Sequence, residues 1–348
     1  MRNDPRILLI RPSALGDVLR TVPVAASIRK AFPSSTVHWI VQDGFKDAIR
    51  AHPAVDDVIP FPRRELARWW RSGPVAAQTW RFFKSLANDY DLAFDLQGLG
   101  RSGLMLRASK ARRRVGFANA REFGWIGANE RHSLPRDMHA VDRMLGLLQA
   151  AGIEPIADMR LTVPPDCQEV WEELSKQHDL RDHVVFAPTS RWRSKEWPLQ
   201  RWEQLAEAMF DLGVERIALI GAADERAVLE QIAARNSNRI AVLAGEASVG
   251  VSMAAVRDAR LLVANDSAML HAAVGLATPM VGLFGPTDPA LTGPYGHQDD
   301  TIRSPEAANE GAHYRDSSLD DRLMRSITLQ EVLEMAQHRL GFGVEAPR

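Results

Sequence analysis

Three stretches of the 348-residue sequence set chemically useful side chains among small residues and turns. The first is "VANDSAMLHAAVGLATPMVGLFGPTDP" (263–289). It reads as a strand, a polar turn, a short helix, a second strand and a Gly-Pro turn. Asp266 and Ser267 stand where the first strand ends, and His271 follows on the helix. Asp and Ser at a helix start can cap it. Equally, the free N–H groups and positive dipole end there can receive a diphosphate. Asp266 would repel phosphate, so a sugar hydroxyl is its better partner. A lone helical histidine is usually structural. One beside a cap pair and a second turn is less ordinary, and Thr287 in "GPTDP" could add a phosphate donor.

The second stretch is "APTSRWRSKEWP" (187–198). Hydroxyls from Thr189 and Ser190, with Lys195 at the entrance to the next helix, suit a phosphate cradle. The plainer reading is a solvated loop, against which Trp192 and Trp197 count because such side chains usually pack. The stretch is neither a Walker A loop nor GxGxxG, which disfavours a nicotinamide dehydrogenase. The third stretch is "RPSALGDVLRTVP" (11–23). Spacing favours Asp17 as a helix N-cap. The functional alternative is a carboxylate held as a general base.

These stretches sit between apolar runs that read as buried strands. One series is "RILLIR", "TVHWIV", "DDVIPF", "YDLAFDL" and "RRVGF"; another is "HVVFAP", "RIALIG", "RIAVLAG", "RLLVAN" and "PMVGLFG". Near-continuous apolar strands alternating with helical patterns predict α/β units with parallel sheets covered on both faces. Ligands of such units bind beyond the carboxyl ends of the strands. The proline-bearing stretch 154–167 is the best linker, so two Rossmann-like domains are expected, 1–160 and 161–348, with a helix over 329–342.

Composition narrows the function. The hydrophobic fraction is 45%, the charged fraction 25% and the net charge -1, which fits a soluble globular chain and gives no global signal for nucleic acid. The one cysteine, Cys167, excludes an internal disulfide and a multi-cysteine metal site. "DYD" (89–91) is the Asp-x-Asp of many metal-dependent sugar transferases, yet its place before a strand reads as a connector. The start of the chain lacks a signal-peptide core, and no stretch approaches a membrane span of ~20 apolar residues. A cytoplasmic location is expected. Two stretches, 62–86 and 107–122, mix arginines and lysines with aromatics such as Trp69, Trp70 and Trp80. They are either solvated basic helices or a surface for an anionic or lipid-bearing partner.

Together, "SALGDVLRTVP", "YDLAFDLQGLGRS", "HAVDR", "SRWRSKEWP", "NDSAMLH" and "GLFGPTDP" resemble the bacterial lipopolysaccharide heptosyltransferases of glycosyltransferase family 9. The resemblance implies a GT-B fold of two facing Rossmann-like domains with a central cleft, the C-terminal helix packing back on the first. It also implies inverting, metal-independent transfer of heptose from ADP-heptose to the Kdo or heptose of the inner core, with no cofactor. Asp17 matches the catalytic base, and Lys195, with Thr189 and Ser190, the diphosphate ligands. Asp266, Ser267, Ala268 and His271 match the donor motif, Glu225 a residue near the ribose, and Arg63, Arg64 and Arg121 the contacts to an acidic acceptor. The family's third donor-motif residue is usually Gly where this chain has Ala268. The partners implied are a nucleotide sugar and an anionic lipid-linked saccharide, met on the cytoplasmic face of the inner membrane. The rival readings are a GT-B transferase using another nucleotide sugar and a non-catalytic nucleotide-sugar-binding protein.

Overall fold

The computed structural model describes residues 4–66, 72–309 and 322–342. Contacts divide the chain into two units, Met1–Thr162 and Val163–Arg348, inside the proline-bearing linker. The first unit holds β1 (Arg6–Ile10), β2 (Thr36–Gln42), β3 (Asp57–Phe61), β4 (Leu92–Asp95), β5 (Arg113–Phe117) and β6 (Glu130–His132). All are parallel, in the order β3-β2-β1-β4-β5-β6. The second holds β7 (Val184–Ala187), β8 (Ile217–Leu219), β9 (Ile240–Val242), β10 (Leu261–Asn265), β11 (Met280–Phe284) and β12 (Thr301–Arg303). Its order is β12-β11-β10-β7-β8-β9, again all parallel.

Counted from the first strand of each unit, both sheets have the doubly wound order 3-2-1-4-5-6. The chain therefore reverses direction between β1 and β4, and again between β7 and β10. Strands β4, β7, β10 and β11 are buried along their whole length, as continuous apolar runs require. The ten sequence-assigned runs each contain a strand. The two strands missed, β6 ("ERH") and β12 ("TIR"), are three-residue edge strands that carry little apolar signal.

Each unit has its own core. In the second, Trp197 and Trp202 pack edge to face at 5.5 Å between ring centres, among Phe186, Leu205 and Met209. The C-terminal helix (Leu329–Leu340) begins in a capping box of Thr328 and Glu331 and ends at Gly341 in the left-handed region. Its buried Val332 and Ala336 belong to the core of the second unit, because those apolar positions face β10 and β11.

One buried carboxylate organises the end of β4. Asp95 is 2% exposed and accepts hydrogen bonds from the N–H groups of Gln97 and Gly98 and from Ser102 Oγ, on the helix Gly100–Ala108. Burial pushes its pKa from 3.8 up to about 6, against the lowering effect of those donors and Arg11. Below pH 3.8 the folded and unfolded chains both carry this proton. Between 3.8 and about 6 only the folded chain does, so stability falls as pH rises through that window and is level above it. The cost is roughly 3 kcal/mol. Asp95→Asn keeps an acceptor but cannot ionise. Urea unfolding at about pH 4 and about pH 7 is expected to show this loss in the wild type and not in the variant; parallel pH curves would disprove it.

Candidate active site

In the first unit the site is built at the carboxyl ends of β1 and β4. The loop after β1 leads into the short helix Leu15–Leu19, with Asp17 in its first turn. Asp17 is not the N-cap, as spacing alone favoured. Ala14 holds that position, and Asp17 Oδ2 reaches back to accept the Ala14 N–H at 3.2 Å. Its other oxygen, Oδ1, pairs with Arg11 at 3.0 Å and with Arg20. Burial alone would raise the Asp17 pKa. The Arg11 and Arg20 guanidiniums and the Ala14 N–H outweigh it and hold the carboxyl well below the usual range.

The "DLQG" turn after β4 fixes this loop. Gln97 Oε1 accepts the Ser13 N–H at 3.4 Å, and Leu96 O accepts from Arg11. Arg63 reaches Ser13 Oγ at 3.5 Å, bringing one candidate acceptor residue to the loop that carries Asp17. Arg64 and Arg121 are exposed. Arg121 is one of three cations, after Arg136 and Arg11, that together with burial lower the pKa of Arg143. Arg143 lies over the Phe117 ring at 4.1 Å and donates to Asn119 Oδ1 at 3.1 Å. Part of the basic stretch 62–86, including Arg68, Trp69, Trp70 and Arg71, lies outside the described residues. "DYD" is a connector: Asp91 Oδ2 accepts the Arg6 N–H at 3.1 Å at the start of β1. Among the described residues no three His, Cys, Asp or Glu side chains are grouped as metal ligands would be.

In the second unit four neighbouring strands, β11, β10, β7 and β8, deliver the candidate residues from their carboxyl ends. Lys195 Nζ meets Asp266 Oδ2 at 2.6 Å, and Thr287 Oγ1 donates to the same oxygen at 2.7 Å. Ser190 Oγ donates to the Asp266 carbonyl at 3.3 Å. Thr189 Oγ1 donates to Glu225 Oε2 at 2.8 Å, and that oxygen also takes the Ala222 N–H at 2.6 Å. Asn265 locks the two central loops together, accepting the Trp197 N–H and donating to Pro188 O. The structure thus gathers the candidate residues into two neighbouring hydrogen-bonded groups, Ser190, Lys195 and Thr287 on Asp266, and Thr189 on Glu225.

Ser267 is the N-cap of the helix Ala268–Leu276, but no side-chain cap bond forms there, and its buried Oγ has no hydrogen-bond partner among the described residues. Neither Asp266 nor Ser267 closes this helix end, so its first N–H groups, beginning at Ala268, are left for another acceptor. His271 lies on the inward face of the same helix, 4% exposed. Trp197 is fully buried and Trp192 half-buried, whereas Arg191 and Arg193 are exposed.

Residues 79–320 match the family described as glycosyltransferase family 9 (heptosyltransferase). The chain belongs to glycosyltransferase family 9. Like that family it is a glycosyltransferase, and its fold class is GT-B. It is 32% identical over 301 residues to lipopolysaccharide heptosyltransferase 1 of Pseudomonas aeruginosa, covering 84% of this chain and 81% of that one. To the Escherichia coli K12 enzyme of the same name it is 29% identical, covering 86% and 94%. The structure of E. coli heptosyltransferase WaaC with ADP-2-deoxy-2-fluoro heptose superposes with a TM-score of 0.77 at 26% identity, covering 96% of this chain and 99% of that one.

Sequence reasoning about this family 9 chain missed Arg11, Arg20 and Arg143. Arg143 ends the "HAVDR" motif, so its place was visible while its surroundings were not. Arg11 and Arg20 flank "PSALGDVL", and only the folded loop turns both toward Asp17.

The Lys195–Asp266 pair is largely shielded, with side chains 12% and 11% exposed. Lys195→Met removes the cation that offsets the Asp266 carboxylate. The expected destabilisation is about 1–2 kcal/mol, above an exposed pair and below a fully buried one. Urea denaturation checks it, and an unchanged midpoint would mean that the pair contributes nothing net.

Proposed function

We propose that this chain transfers heptose from ADP-heptose to a lipid-linked, anionic saccharide of the lipopolysaccharide inner core. The observation that carries this reading is the uncapped helix end at Ala268 beside Lys195, Thr287 and the Ser267 hydroxyl. Backbone N–H groups, a cation and hydroxyls at one strand end suit a sugar diphosphate. Named relatives that are heptosyltransferases, one solved with an ADP-heptose analogue, support the choice of donor.

In this reading Asp17 accepts the proton of the acceptor hydroxyl as its oxygen bonds to the anomeric carbon of the heptose. The bond from that carbon to the diphosphate oxygen breaks on the opposite face, and ADP leaves with the electron pair, so the configuration inverts. Lys195 and the helix N–H groups offset the charge that develops on the departing diphosphate, joined by Thr189 and Ser190 once their hydroxyls turn from Glu225 Oε2 and the Asp266 carbonyl. Lys195 has three N–H donors, so it can serve phosphate while Asp266 keeps one of them. Asp266 and Glu225 are acceptors for sugar hydroxyls, and the buried His271 supports the helix wall behind Ala268. No metal is assigned a part.

Asp17 is a weak base in the surroundings described above. It becomes an adequate proton acceptor only as the attacking hydroxyl acidifies along an oxocarbenium-like path, while Arg11 and Arg20 keep the carboxylate ionised and aimed. Arg63, Arg64 and Arg121, extended by Arg136 and Arg143, supply positive charge for an acidic acceptor. Because that acceptor is lipid-linked, the enzyme works in peripheral contact with the cytoplasmic face of the inner membrane.

The reading is tested with ADP-, UDP- and GDP-sugars crossed against Kdo-lipid A and heptosylated acceptors. ADP should be released only with ADP-heptose and a core acceptor; turnover with a UDP- or GDP-sugar would overturn the donor assignment. Asp17→Asn should lower kcat by at least about 100-fold, the usual scale for a general base. Its affinity for ADP-heptose should stay within about twofold, because the base acts on the acceptor. Normal turnover in this variant would remove Asp17 from the chemistry.

A further inference from the structure

One face of the first unit has a composition that its own folding does not require. The helix Gly100–Ala108 and the turn Gly124–Gly127 lie back to back with no side chain between them. A Cβ on Gly103 would fall 2.2 Å from the Gly124 carbonyl oxygen, and one on Gly127 2.0 Å from the Gly103 carbonyl oxygen. Only glycine tolerates that approach. The large side chain next to each of these glycines is exposed. Leu104 is 61% exposed, Phe123 73% and Ile126 50%.

Phe123 is unusual in two ways. Its φ is 57°, in the left-handed region, where Asn or Gly is preferred and a bulky side chain is disfavoured. Its ring then points to solvent, so it gains no packing in return. Around these three side chains arginines predominate, although Glu122, beside Phe123, is also exposed and accepts the Gly100 N–H at 3.3 Å. On the helix, Arg101, Leu104 and Arg107 form the outward stripe at successive three-residue steps, and Arg131 is exposed beside the turn, stacked on Trp125 at 4.9 Å. No helix among the described residues is long and apolar enough to cross a membrane. Exposed apolar side chains rimmed by arginines suit instead the headgroup boundary of an anionic bilayer, where rings and aliphatic groups enter and guanidiniums meet phosphates.

We propose that the face bearing Leu104, Phe123 and Ile126, with Arg101, Arg107 and Arg131, docks this protein on an anionic phospholipid surface. The proposal rests on the lipid-linked acceptor of the preceding subsection. Arg121, assigned there to that acceptor, adjoins the same turn, its N–H bonded to Gly98 O at 2.9 Å.

The test is co-sedimentation of the full chain with vesicles of phosphatidylethanolamine and phosphatidylglycerol, and with vesicles of phosphatidylcholine alone. The variants are a triple change, Leu104→Ser, Phe123→Asn and Ile126→Ser, and the single change Arg107→Glu. Wild type should sediment with the anionic vesicles only. The triple variant should partition at least about tenfold less, and Arg107→Glu at least about fivefold less, with the deficit shrinking in high salt. Both variants should keep the wild-type thermal midpoint and full turnover on a lipid-free core saccharide.

Equal sedimentation of wild type and variants, or none by wild type, overturns the proposal. So does a lipid-free dimer that the triple variant dissociates, which would make the face a contact between copies. Loss of turnover on the lipid-free saccharide also overturns it, because the residues would then belong to the acceptor site. Vesicle binding that depends on this face, in a protein that transfers no heptose, would leave the docking face standing and refute the heptosyltransferase reading alone.

Discussion

The parallel sheet is the constraint on which both halves of this molecule depend. Parallel strands need helical crossovers, and all their carboxyl ends point the same way. With the order 3-2-1-4-5-6, the crossovers leave the central pair in opposite directions and open a crevice at that end. In the first unit the central pair is β1 and β4, in the second β7 and β10. The loops after these four strands carry Asp17, the "DLQG" turn, Thr189 with Ser190 and Lys195, and Asp266 with Ser267. Topology thus accounts for why motifs about 80 residues apart within each unit come together. Side-chain chemistry then needs only short reaches: Asn265 to Pro188 in one unit, Gln97 to Ser13 in the other.

Within that frame the two units treat charge differently. In the second, the cation and the carboxylate nearest the helix end are matched, Lys195 with Asp266, and Thr287 completes the carboxylate. In the first, a single carboxylate, Asp17, is held by two guanidiniums. Burial favours its neutral form, but two cations within hydrogen-bonding distance favour the ion more, and the ion wins. Asp95, more deeply buried at the neighbouring strand end, shows the opposite balance. Neutral donors surround it and Arg11 bears on it only from a distance, so desolvation wins and its pKa rises. Two carboxylates anchored to adjacent strands therefore stay ionised and become protonated, respectively, under mildly acidic conditions.

Much of this was legible in the sequence, and the boundary of legibility is physical. The buried strands are continuous apolar runs with few alternative readings. β6 and β12 are three-residue edge strands in which Glu130, Arg131 and Arg303 replace that signal. The strand-end residues of the second unit were readable because each lies in the loop that follows a strand. The role of Asp17 in its helix was not, because spacing cannot say which residue first adopts helical geometry. The backbone makes Leu15 the first helical residue and the extended Ala14 the cap, three positions before Asp17. The arginine partners were also hidden. Arg143 acquires its character from Arg136, Arg11 and Arg121, residues far from it in the chain or, for Arg136, on a different segment of loop.

The Arg143 cluster shows what such an arrangement demands. A half-buried guanidinium surrounded by three other cations loses hydration and gains repulsion, which is why its proton is held less tightly than usual. The Phe117 face and the Asn119 carbonyl offset part of that cost by stacking and hydrogen bonding, but neither carries a full negative charge. An anionic ligand would remove the remaining repulsion on arrival, so the cost carried by the folded protein would reappear as affinity. The same cluster would discriminate against a neutral saccharide, which could accept hydrogen bonds from the guanidiniums but not neutralise them. Selectivity of this kind follows from charge count and burial, before any detail of sugar stereochemistry is considered.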